Sequence, residues 1–301
     1  MEDLINKIFN EDNAIGMKRI PDNSIDVILT DPPYLYLKNQ KLDKPFDEQL
    51  FFSECKRVLK DSGFIVLFGR GTSFYRWNTL LADMKFNFKE EVVWGKCYTS
   101  SPCHKLHRVH ETVSIHSKGK GVINLCRIPV MEKYKCEPEK LQRILERLAT
   151  AFGNRKTFQM LKKYYDTGSM DYTEAKTKHN ITRSEKSNVG TNRTVLFAKG
   201  LEEGILEQSI IREARDHYNT IHPTQKPAKL LERLLALVSK EGDVILDPFI
   251  GSGSTAVACI NTNRKYIGFE IDKEYYYSCK ERVDKEKMKP KQQCLTLSDV
   301  G

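Results

Sequence analysis

Short apolar runs alternate with segments of helical spacing through the first third of the chain. Residues 25–30 form an apolar, β-branched run that stops at Pro32 and Pro33, which predicts a buried strand ending in a loop. Residues 48–60 carry apolar side chains at helical spacing and predict a helix. The pattern also predicts a helix over residues 73–84 and strands over residues 63–69, 92–94 and 111–116.

The same alternation returns near the C-terminus, after a middle region of different character. Residues 137–165 are amphipathic and predict helix, whereas residues 166–192 are polar and rich in turn formers. The later segments predict helices over residues 228–239, 254–261 and 273–287, and strands over residues 243–246 and 265–269. Strands that alternate with helices indicate an α/β fold with a parallel sheet, here interrupted by an insertion.

The composition argues against membrane-spanning and secreted proteins. No apolar run approaches the roughly 18 residues that a membrane span needs. The N-terminal residues have no cationic region followed by an apolar stretch, so we expect no secretion signal. The 8 cysteines form no C-x-x-C pair in a chain of 301 residues, which is large enough to fold without disulfides. We therefore expect reduced thiols and a cytoplasmic protein.

Basic charge is concentrated in the middle of the chain. The formal net charge is +9, and residues 96–199 alone hold 21 basic and 9 acidic side chains, so the remainder is slightly acidic. A localised cationic excess is typical of proteins that bind a phosphate backbone. A solvated, Lys-rich surface would give the same composition.

A glycine-rich turn lies between a predicted strand and a predicted helix in the last third of the chain. Its sequence is DPFIGSGST, from Asp247 to Thr255. Glycines allow a tight turn and a close approach of a ligand, and the helix N-terminus offers unpaired N–H groups. Glu270 ends the next predicted strand, where an acidic side chain holds a ribose hydroxyl pair in this class of fold. Together these features indicate an adenosine-containing ligand; a plain βαβ turn with a surface glutamate is the alternative.

A second motif, Asp31-Pro32-Pro33-Tyr34, follows the predicted strand over residues 25–30. The prolines stiffen the loop, Asp31 is an acceptor at the carboxyl edge of the sheet, and Tyr34 offers a flat aromatic face. These groups suit an exocyclic amine, which would donate its hydrogens to the Asp31 carboxylate and the Pro32 carbonyl while Tyr34 stacks on the attached ring. A proline-rich turn would explain the prolines but not the acid and the tyrosine around them.

In this order, the two motifs resemble those of the amino DNA methyltransferases that use S-adenosylmethionine, in the permuted arrangement called the β group. Residues 31–34 are similar to the DPPY motif of that family, and residues 247–255 to its F-x-G-x-G cofactor motif. The segment HPTQKP, residues 222–227, is similar to the one that precedes the cofactor motif. The resemblance covers residues 1–118 and 217–288, with no match over residues 119–216.

The resemblance implies a Rossmann-like class I methyltransferase sheet, circularly permuted. Residues 1–118 would form the catalytic part, residues 217–301 the cofactor-binding part, and residues 119–216 an inserted, mainly helical target-recognition region. The implied reaction transfers a methyl group from S-adenosylmethionine to adenine N6 of a base flipped out of duplex DNA, since DPPY rather than SPPY points to adenine. An N4-cytosine enzyme, a catalytically inactive DNA-binding relative, and an RNA or protein methyltransferase are the alternatives.

The resemblance also implies roles for individual residues. Asp247, Phe249, Gly251 and Gly253 would contact the methionine part of the cofactor, Glu270 its ribose and Asp12 its adenine, while Thr224 and Lys226 would approach its carboxylate. The full predicted cofactor site comprises Asp12, Asp31, His222, Thr224, Lys226, Asp247, Phe249, Gly251, Ser252, Gly253, Ser254, Thr255 and Glu270. The predicted catalytic residues are Asp31, Pro32, Pro33 and Tyr34.

The predicted partner is double-stranded DNA, without a membrane. Dimers are common in the resembling family, and the resemblance leaves open both a homodimer and a cognate restriction endonuclease that acts on the same sequence. No metal is expected. A zinc site is the alternative interpretation of Cys97, Cys103, His104, His107 and His110, but these residues lack the paired ligands with short, defined spacers of structural zinc sites.

Overall fold

The computed structural model describes residues 1–34, 45–97, 109–129, 133, 137, 204–215, 220–221 and 225–289. In chain order, the strands of these residues are β1 (Lys7–Phe9), β2 (Ile25–Thr30), β3 (Leu59–Gly69), β4 (Asn87–Gly95), β5 (His110–Ser117), β6 (Arg127–Ile128), β7 (Ile205–Leu206), β8 (Ile210–Arg212), β9 (Val244–Asp247) and β10 (Lys265–Phe269). The helices are α1 (Asn13–Gly16), α2 (Glu48–Val58), α3 (Gly71–Asp83), α4 (Ala228–Val238), α5 (Ser254–Asn261) and α6 (Lys273–Met288).

The chain divides into two compact units. One comprises residues 1–126 and 208–301, and the other comprises residues 127–207. Within the described part of the second unit, β6 and β7 pair in antiparallel orientation. The predicted helix over residues 137–165 lies outside the described residues, apart from residue 137. The functional division at residues 118 and 216 stays a prediction.

The first unit is built on one eight-stranded sheet with the order β1-β10-β9-β2-β3-β5-β4-β8. The neighbours from β1 through β3 pair in parallel, as do β4 and β8. β5 lies between β3 and β4 and is antiparallel to both. The expected α/β fold is confirmed, but the sheet is mixed rather than wholly parallel. β4 and β5 are consecutive and adjacent, and consecutive neighbours can reverse direction without a helical crossover.

Helices pack on both faces of this sheet because successive side chains of a strand point to opposite faces. In β2, Val27 and Leu29 belong to the core that contains α4 and α5. Ile28, between them, belongs to the core that contains α2 and α3. The central strands are therefore apolar on both faces, which is the pattern of a sheet covered on both sides.

Most predicted elements match the observed ones to within two residues. Those over residues 25–30, 254–261 and 265–269 have the predicted limits. The predicted helix over residues 48–60 ends earlier, because Leu59 already belongs to β3 and pairs with Ile25. The strand predicted over residues 92–94 extends over Asn87–Gly95, since its first half is paired although largely exposed. None of the helices in the described ranges is both long and apolar enough to span a membrane.

Candidate active site

The carboxyl ends of three parallel strands bring three acidic residues to one edge of the sheet. β9 pairs with β2 on one side and with β10 on the other. Asp247 ends β9, Asp31 follows β2, and Glu270 follows β10. From β9 the chain proceeds to β10, and from β2 it proceeds to β3, on the opposite side. This is a topological switch point, and open α/β sheets bind ligands in the crevice at such a point.

Glu270 ties the glycine-rich turn to the end of β10. Its Oε2 accepts the Gly251 N–H at 3.0 Å, and its Oε1 accepts the Asp272 N–H at 2.8 Å. Glu270 is buried, and this burial raises the pKa of its carboxyl group. Because a carboxylate has about four acceptor sites, these two donors leave Glu270 able to accept ligand hydroxyls.

The turn itself depends on its glycines. Gly251 and Gly253 have φ angles of 50° and 77°, in the left-handed region that favours glycine. A Cβ on Gly253 would also lie 2.7 Å from Sγ of Cys279 in α6. The turn therefore passes so close to α6 that position 253 has no room for a side chain.

Asp247 is a buried carboxylate beside that turn. Its Oδ1 accepts the Phe249 N–H at 3.1 Å, and its Oδ2 accepts the Thr255 hydroxyl at 2.5 Å. Burial raises the pKa of Asp247 to about 7, and the carboxylates of Asp31 and Glu270 act in the same direction. When neighbouring acids raise the pKa of a buried acid, a cationic ligand stabilises the charged form of that acid.

Asp31 makes contacts at both carboxylate oxygens. Tyr34 donates its hydroxyl hydrogen to Oδ1, and the Lys226 ammonium donates to Oδ2. Burial raises the pKa of Asp31 and outweighs the opposing effect of Lys226. Pro32 is buried and Pro33 partly buried in the same loop. The structure thus places Lys226, which the sequence assigns to a cofactor carboxylate, on the predicted catalytic carboxylate.

Glu111 lies beside Lys226 but was not among the predicted site residues. It lies at the start of the antiparallel strand β5, so it reaches the same sheet edge as the ends of β2 and β4. Its Oε1 is 2.5 Å from Nζ of Lys96, and its Oε2 is 3.4 Å from Nζ of Lys226. Burial alone would raise the pKa of Glu111, but Lys226 and Lys96 together lower it to about 2. In the sequence, Glu111 belongs to a segment that is similar to the family's pattern, but nothing in that segment assigned a role to its carboxylate.

Aromatic side chains connect the two predicted motifs. The Phe249 ring lies 5.3 Å from both the Phe46 and the Phe51 rings, measured between centroids. Phe46 in turn lies 6.2 Å from Trp77, and Trp77 lies 6.0 Å from Tyr34. Phe249, predicted to contact a cofactor, thus packs in a cluster that reaches Tyr34, the predicted catalytic tyrosine.

The serines of the turn contact protein groups. Ser254 donates its hydroxyl hydrogen to the Lys226 carbonyl at 2.7 Å. Arg282 of α6 donates to the Ser252 carbonyl at 2.9 Å and to the Ser254 hydroxyl at 3.0 Å. Arg282 was not predicted, because nothing in its helical spacing distinguishes it from a surface arginine. These contacts join the turn, α6 and the residue that reaches Asp31.

The remaining predicted site residues lie at the margin of this edge or outside the described residues. Asp12, three residues beyond β1, accepts the Ala14 N–H at 2.7 Å and thereby caps α1. β1 neighbours β10, so Asp12 follows the strand next to the one that Glu270 follows. His222 and Thr224 lie outside the described residues, as do Cys103, His104 and His107 of the alternative zinc interpretation.

The edge therefore combines two chemical environments. On the β9 and β10 side, Asp247, Glu270 and the turn suit a small ligand with a cationic centre and hydroxyl groups. On the β2 side, the Asp31 carboxylate and its loop suit a hydrogen-bond donor such as an amine. β9 and β2 are neighbours, so a group bound at one environment lies beside a group bound at the other.

Known proteins are similar to this chain over most of its length. A family model described as DNA methylase (N6_N4_Mtase) matches residues 25–281. The type II methyltransferase M.HpaI of Haemophilus parainfluenzae is 30% identical over an alignment of 292 residues, and the match covers 91% of this chain and 73% of that protein. The DNA adenine methyltransferase YhdJ of Escherichia coli K12 is 28% identical over an alignment of 295 residues, and the match covers 92% of this chain and 82% of that protein. The crystal structure of the M1.HpyAVI–SAM complex has a TM-score of 0.53 at 19% identity and covers 92% of this chain and 98% of its own, a likeness of fold.

Proposed function

The chain belongs to the DNA methylase family, and we propose that it transfers the methyl group of S-adenosylmethionine to N6 of adenine at a specific sequence in duplex DNA. The observation that carries the proposal is the position of Asp31 beside Asp247, at the ends of the neighbouring strands β2 and β9. One carboxylate suits an amine and the other a cation. A base amine and a methyl sulfonium need this adjacency in order to react.

The residues on the β9 and β10 side fit the cofactor. Asp247 is a buried acid whose charged neighbours are acids, which matches the positive charge of the methionine part. Gly251 and Gly253 leave two positions of the turn without a side chain, and Glu270 keeps acceptor capacity for ribose hydroxyls. When bound, the cofactor supplies an electrophilic methyl group on a sulfonium. The turn and the acids would hold it; the catalytic loop would act on the base.

The catalytic loop would make the base amine reactive. An aromatic amine is a poor nucleophile because its lone pair is delocalised into the ring. Acceptance of the amine hydrogens by Asp31 and by the Pro32 carbonyl would localise that lone pair towards the methyl group. An amine paired inside a duplex is inaccessible, so the base has to be extruded. Tyr34 would then replace the stacking that the base had in the duplex, which is worth roughly 1–3 kcal/mol on an aromatic platform.

The adenine assignment rests on the DPPY motif of residues 31–34 and is supported by the relative named a DNA adenine methyltransferase. The permuted arrangement is supported by the chain order, in which the Asp31 loop precedes the Asp247 turn although β2 and β9 are adjacent. Cytosine N4 is also an exocyclic amine that Asp31 could accept, and the experiment below distinguishes the two bases.

The test is expression in a host that lacks DNA methylation, with wild-type chain and with Asp31→Ala. Hydrolysis of the host DNA to nucleosides should yield N6-methyladenine with the wild-type chain and none with the variant. Sequencing of the modified positions should place them in one short sequence. N4-methylcytosine would contradict the adenine assignment, and methylation by Asp31→Ala would contradict the role of the loop.

We also propose that residues 119–216 recognise the target DNA. They lie largely outside the described residues, and their basic excess carries the proposal. Removal of Lys176, Lys178 and Arg183 should weaken DNA binding and flatten its salt dependence, by roughly 0.9 log–log slope units for each phosphate that is no longer neutralised. Removal of the exposed Lys273 and Lys280 of α6 is the matched control and should leave the slope unchanged. A homodimer and a cognate endonuclease stay predictions from the resemblance.

A further inference from the structure

Lys226 is shared by two carboxylates on opposite sides of β3. Its ammonium donates to Oδ2 of Asp31 and lies 3.4 Å from Oε2 of Glu111. Asp31 follows β2 and Glu111 begins β5, and β3 separates these strands in the sheet. One cation therefore bridges the predicted catalytic acid and an acid with no assigned role.

The Phe68 ring lies beneath the Lys226 ammonium and leaves the ammonium able to shift between these two acids. Nζ of Lys226 lies 5.1 Å from the centroid of the Phe68 ring, and Phe68 belongs to β3. A ring face attracts a cation through its quadrupole and imposes no single donor direction. Movement of Nζ across this ring would exchange one carboxylate for the other while the contact with the ring persists.

Glu111 already pairs with Lys96 and lies within reach of Lys226. Lys96, Lys226, Asp31 and Glu111 provide two ammonium groups and two carboxylates, with side chains only 6%, 9%, 21% and 14% exposed. Buried charges are costly unless they remain paired. Release of Lys226 from Asp31 into water-poor surroundings would be unfavourable without Glu111.

We propose that Glu111 is a positioning residue that takes Lys226 from Asp31 when the target amine binds. This inference rests on the proposed function, in which Asp31 accepts a hydrogen bond from the base. Tyr34 and Lys226 already donate to the two oxygens of Asp31, so the incoming amine competes with both donors, and the charge of Lys226 weakens Oδ2 as an acceptor. Glu111 offers the ammonium a carboxylate within reach, and Oδ2 of Asp31 becomes free without separating a buried ion from its partner.

The decisive experiment compares Glu111→Gln with the double variant Glu111→Gln/Lys226→Met. Glutamine keeps the shape of Glu111 and removes its charge, so Lys226 should stay on Asp31 and kcat should fall about tenfold at saturating cofactor and DNA. Replacement of Lys226 by methionine in the Glu111→Gln chain removes the competing donor, so the double variant should be several-fold faster than Glu111→Gln. Double-mutant cycles measure this kind of coupling. A merely structural role predicts that the second substitution lowers activity further.

A binding measurement provides a second readout. With S-adenosylhomocysteine at a saturating concentration for each variant, duplex DNA that contains the methylated site should bind less tightly to Glu111→Gln than to the wild-type chain. The double variant should recover affinity, because Asp31 is again free for the base. Affinity for S-adenosylhomocysteine alone should change little in Glu111→Gln, since Glu111 acts on Lys226 and not on the cofactor.

Folding of each variant is checked by thermal melting. Glu111→Gln could be unstable because Lys96 loses its partner. In that case Lys96→Met/Glu111→Gln replaces it in the experiment, and the triple variant Lys96→Met/Glu111→Gln/Lys226→Met replaces the double variant. Full activity of Glu111→Gln, or a double variant no faster than the single one, would overturn the inference. Absence of methylation by the wild-type chain would instead remove the proposed function itself, and this inference with it.

Discussion

The Tyr34 hydroxyl donates a hydrogen bond to Oδ1 of Asp31, the carboxylate that we assign to the target amine. The two residues belong to the same four-residue motif, and the contact turns the tyrosine towards the acid. Before a base arrives, the hydroxyl therefore occupies an acceptor site that the amine would use. The ring of Tyr34 is assigned to stacking and its hydroxyl bonds Asp31, so substitutions that remove one or both can distinguish the two roles.

Tyr34→Phe should retain a substantial part of kcat, whereas Tyr34→Ala should lose most of it. Phenylalanine keeps the ring face and frees Oδ1 of Asp31, while alanine removes a stacking platform worth roughly 1–3 kcal/mol, or about 5- to 150-fold. Transfer of labelled methyl groups into DNA at saturating substrates measures both variants. Equal loss in the two would mean that the hydroxyl, and not the ring, supports the reaction.

Two glycines with left-handed backbone allow the cost of backbone strain to be measured apart from the cost of a steric clash. Gly253 and Gly242 have φ angles of 77° and 84°, but only a Cβ at Gly253 would meet a neighbour, Sγ of Cys279. Gly242→Ala should cost about 1–2 kcal/mol of unfolding free energy from strain alone. Gly253→Ala should cost more and should also weaken cofactor binding, because the turn has to move away from α6.

Denaturant unfolding and cofactor titration of the two alanine variants provide the measurement. Gly242→Ala is the control, since it lies outside the turn and should keep the wild-type cofactor affinity. Equal stability and equal cofactor affinity in both variants would show that the approach of the turn to α6 is not a constraint.

The motif-bearing strands were predictable because their signals are local. An apolar run followed by prolines defines β2 and its loop, and an apolar run followed by glycines defines β9 and its turn. The resemblance assigns both Asp31 and Asp247 to the cofactor site, so it predicts that the two motifs meet there. These parts of the site depend on residues that are close together in sequence.

The charge group around Asp31 was not predictable in the same way. Lys226 is 195 residues from Asp31 in the chain, and Glu111 reaches the site only because β5 is antiparallel between β3 and β4. Hydrophobic periodicity identifies strands but contains no information on their order or direction. An acid at the start of a strand becomes a site residue when that strand is reversed.

His116 should make the fold sensitive to acid. Burial lowers the pKa of its side chain to about 4 from 6.5, and its Nε2 lies 2.8 Å from Oδ1 of Asn78. The unfolded chain therefore binds a proton below about pH 6.5 that the folded chain rejects until about pH 4, and stability falls across that interval by at most about 3 kcal/mol. His116→Gln should reduce the loss of melting temperature between pH 7 and pH 5.

The exposed His110, at the start of the same strand, provides the matched control. His110→Gln should leave the difference between pH 7 and pH 5 as it is in the wild-type chain. An equal effect of both substitutions would assign the acid sensitivity to the surface of β5 and not to burial of His116.

Asp247→Asn should raise stability at high pH and weaken cofactor binding. The pKa of Asp247 is about 7 in the folded chain, above its ordinary 3.8, so the folded chain holds a proton between these values that the unfolded chain releases. Stability that depends on this group is therefore largest below about pH 4, falls by at most about 4 kcal/mol as pH rises towards 7, and stays low above it.

The asparagine of Asp247→Asn keeps an acceptor for the Phe249 N–H and carries no charge. The variant should melt at a higher temperature than the wild-type chain at pH 8, with a smaller difference at pH 5. Titration should show weaker binding of S-adenosylmethionine, because the acid that suits its positive charge is gone. A variant that is less stable at both pH values, or that binds the cofactor as tightly as the wild-type chain, would contradict the assignment of Asp247 as a destabilising acid retained for its ligand.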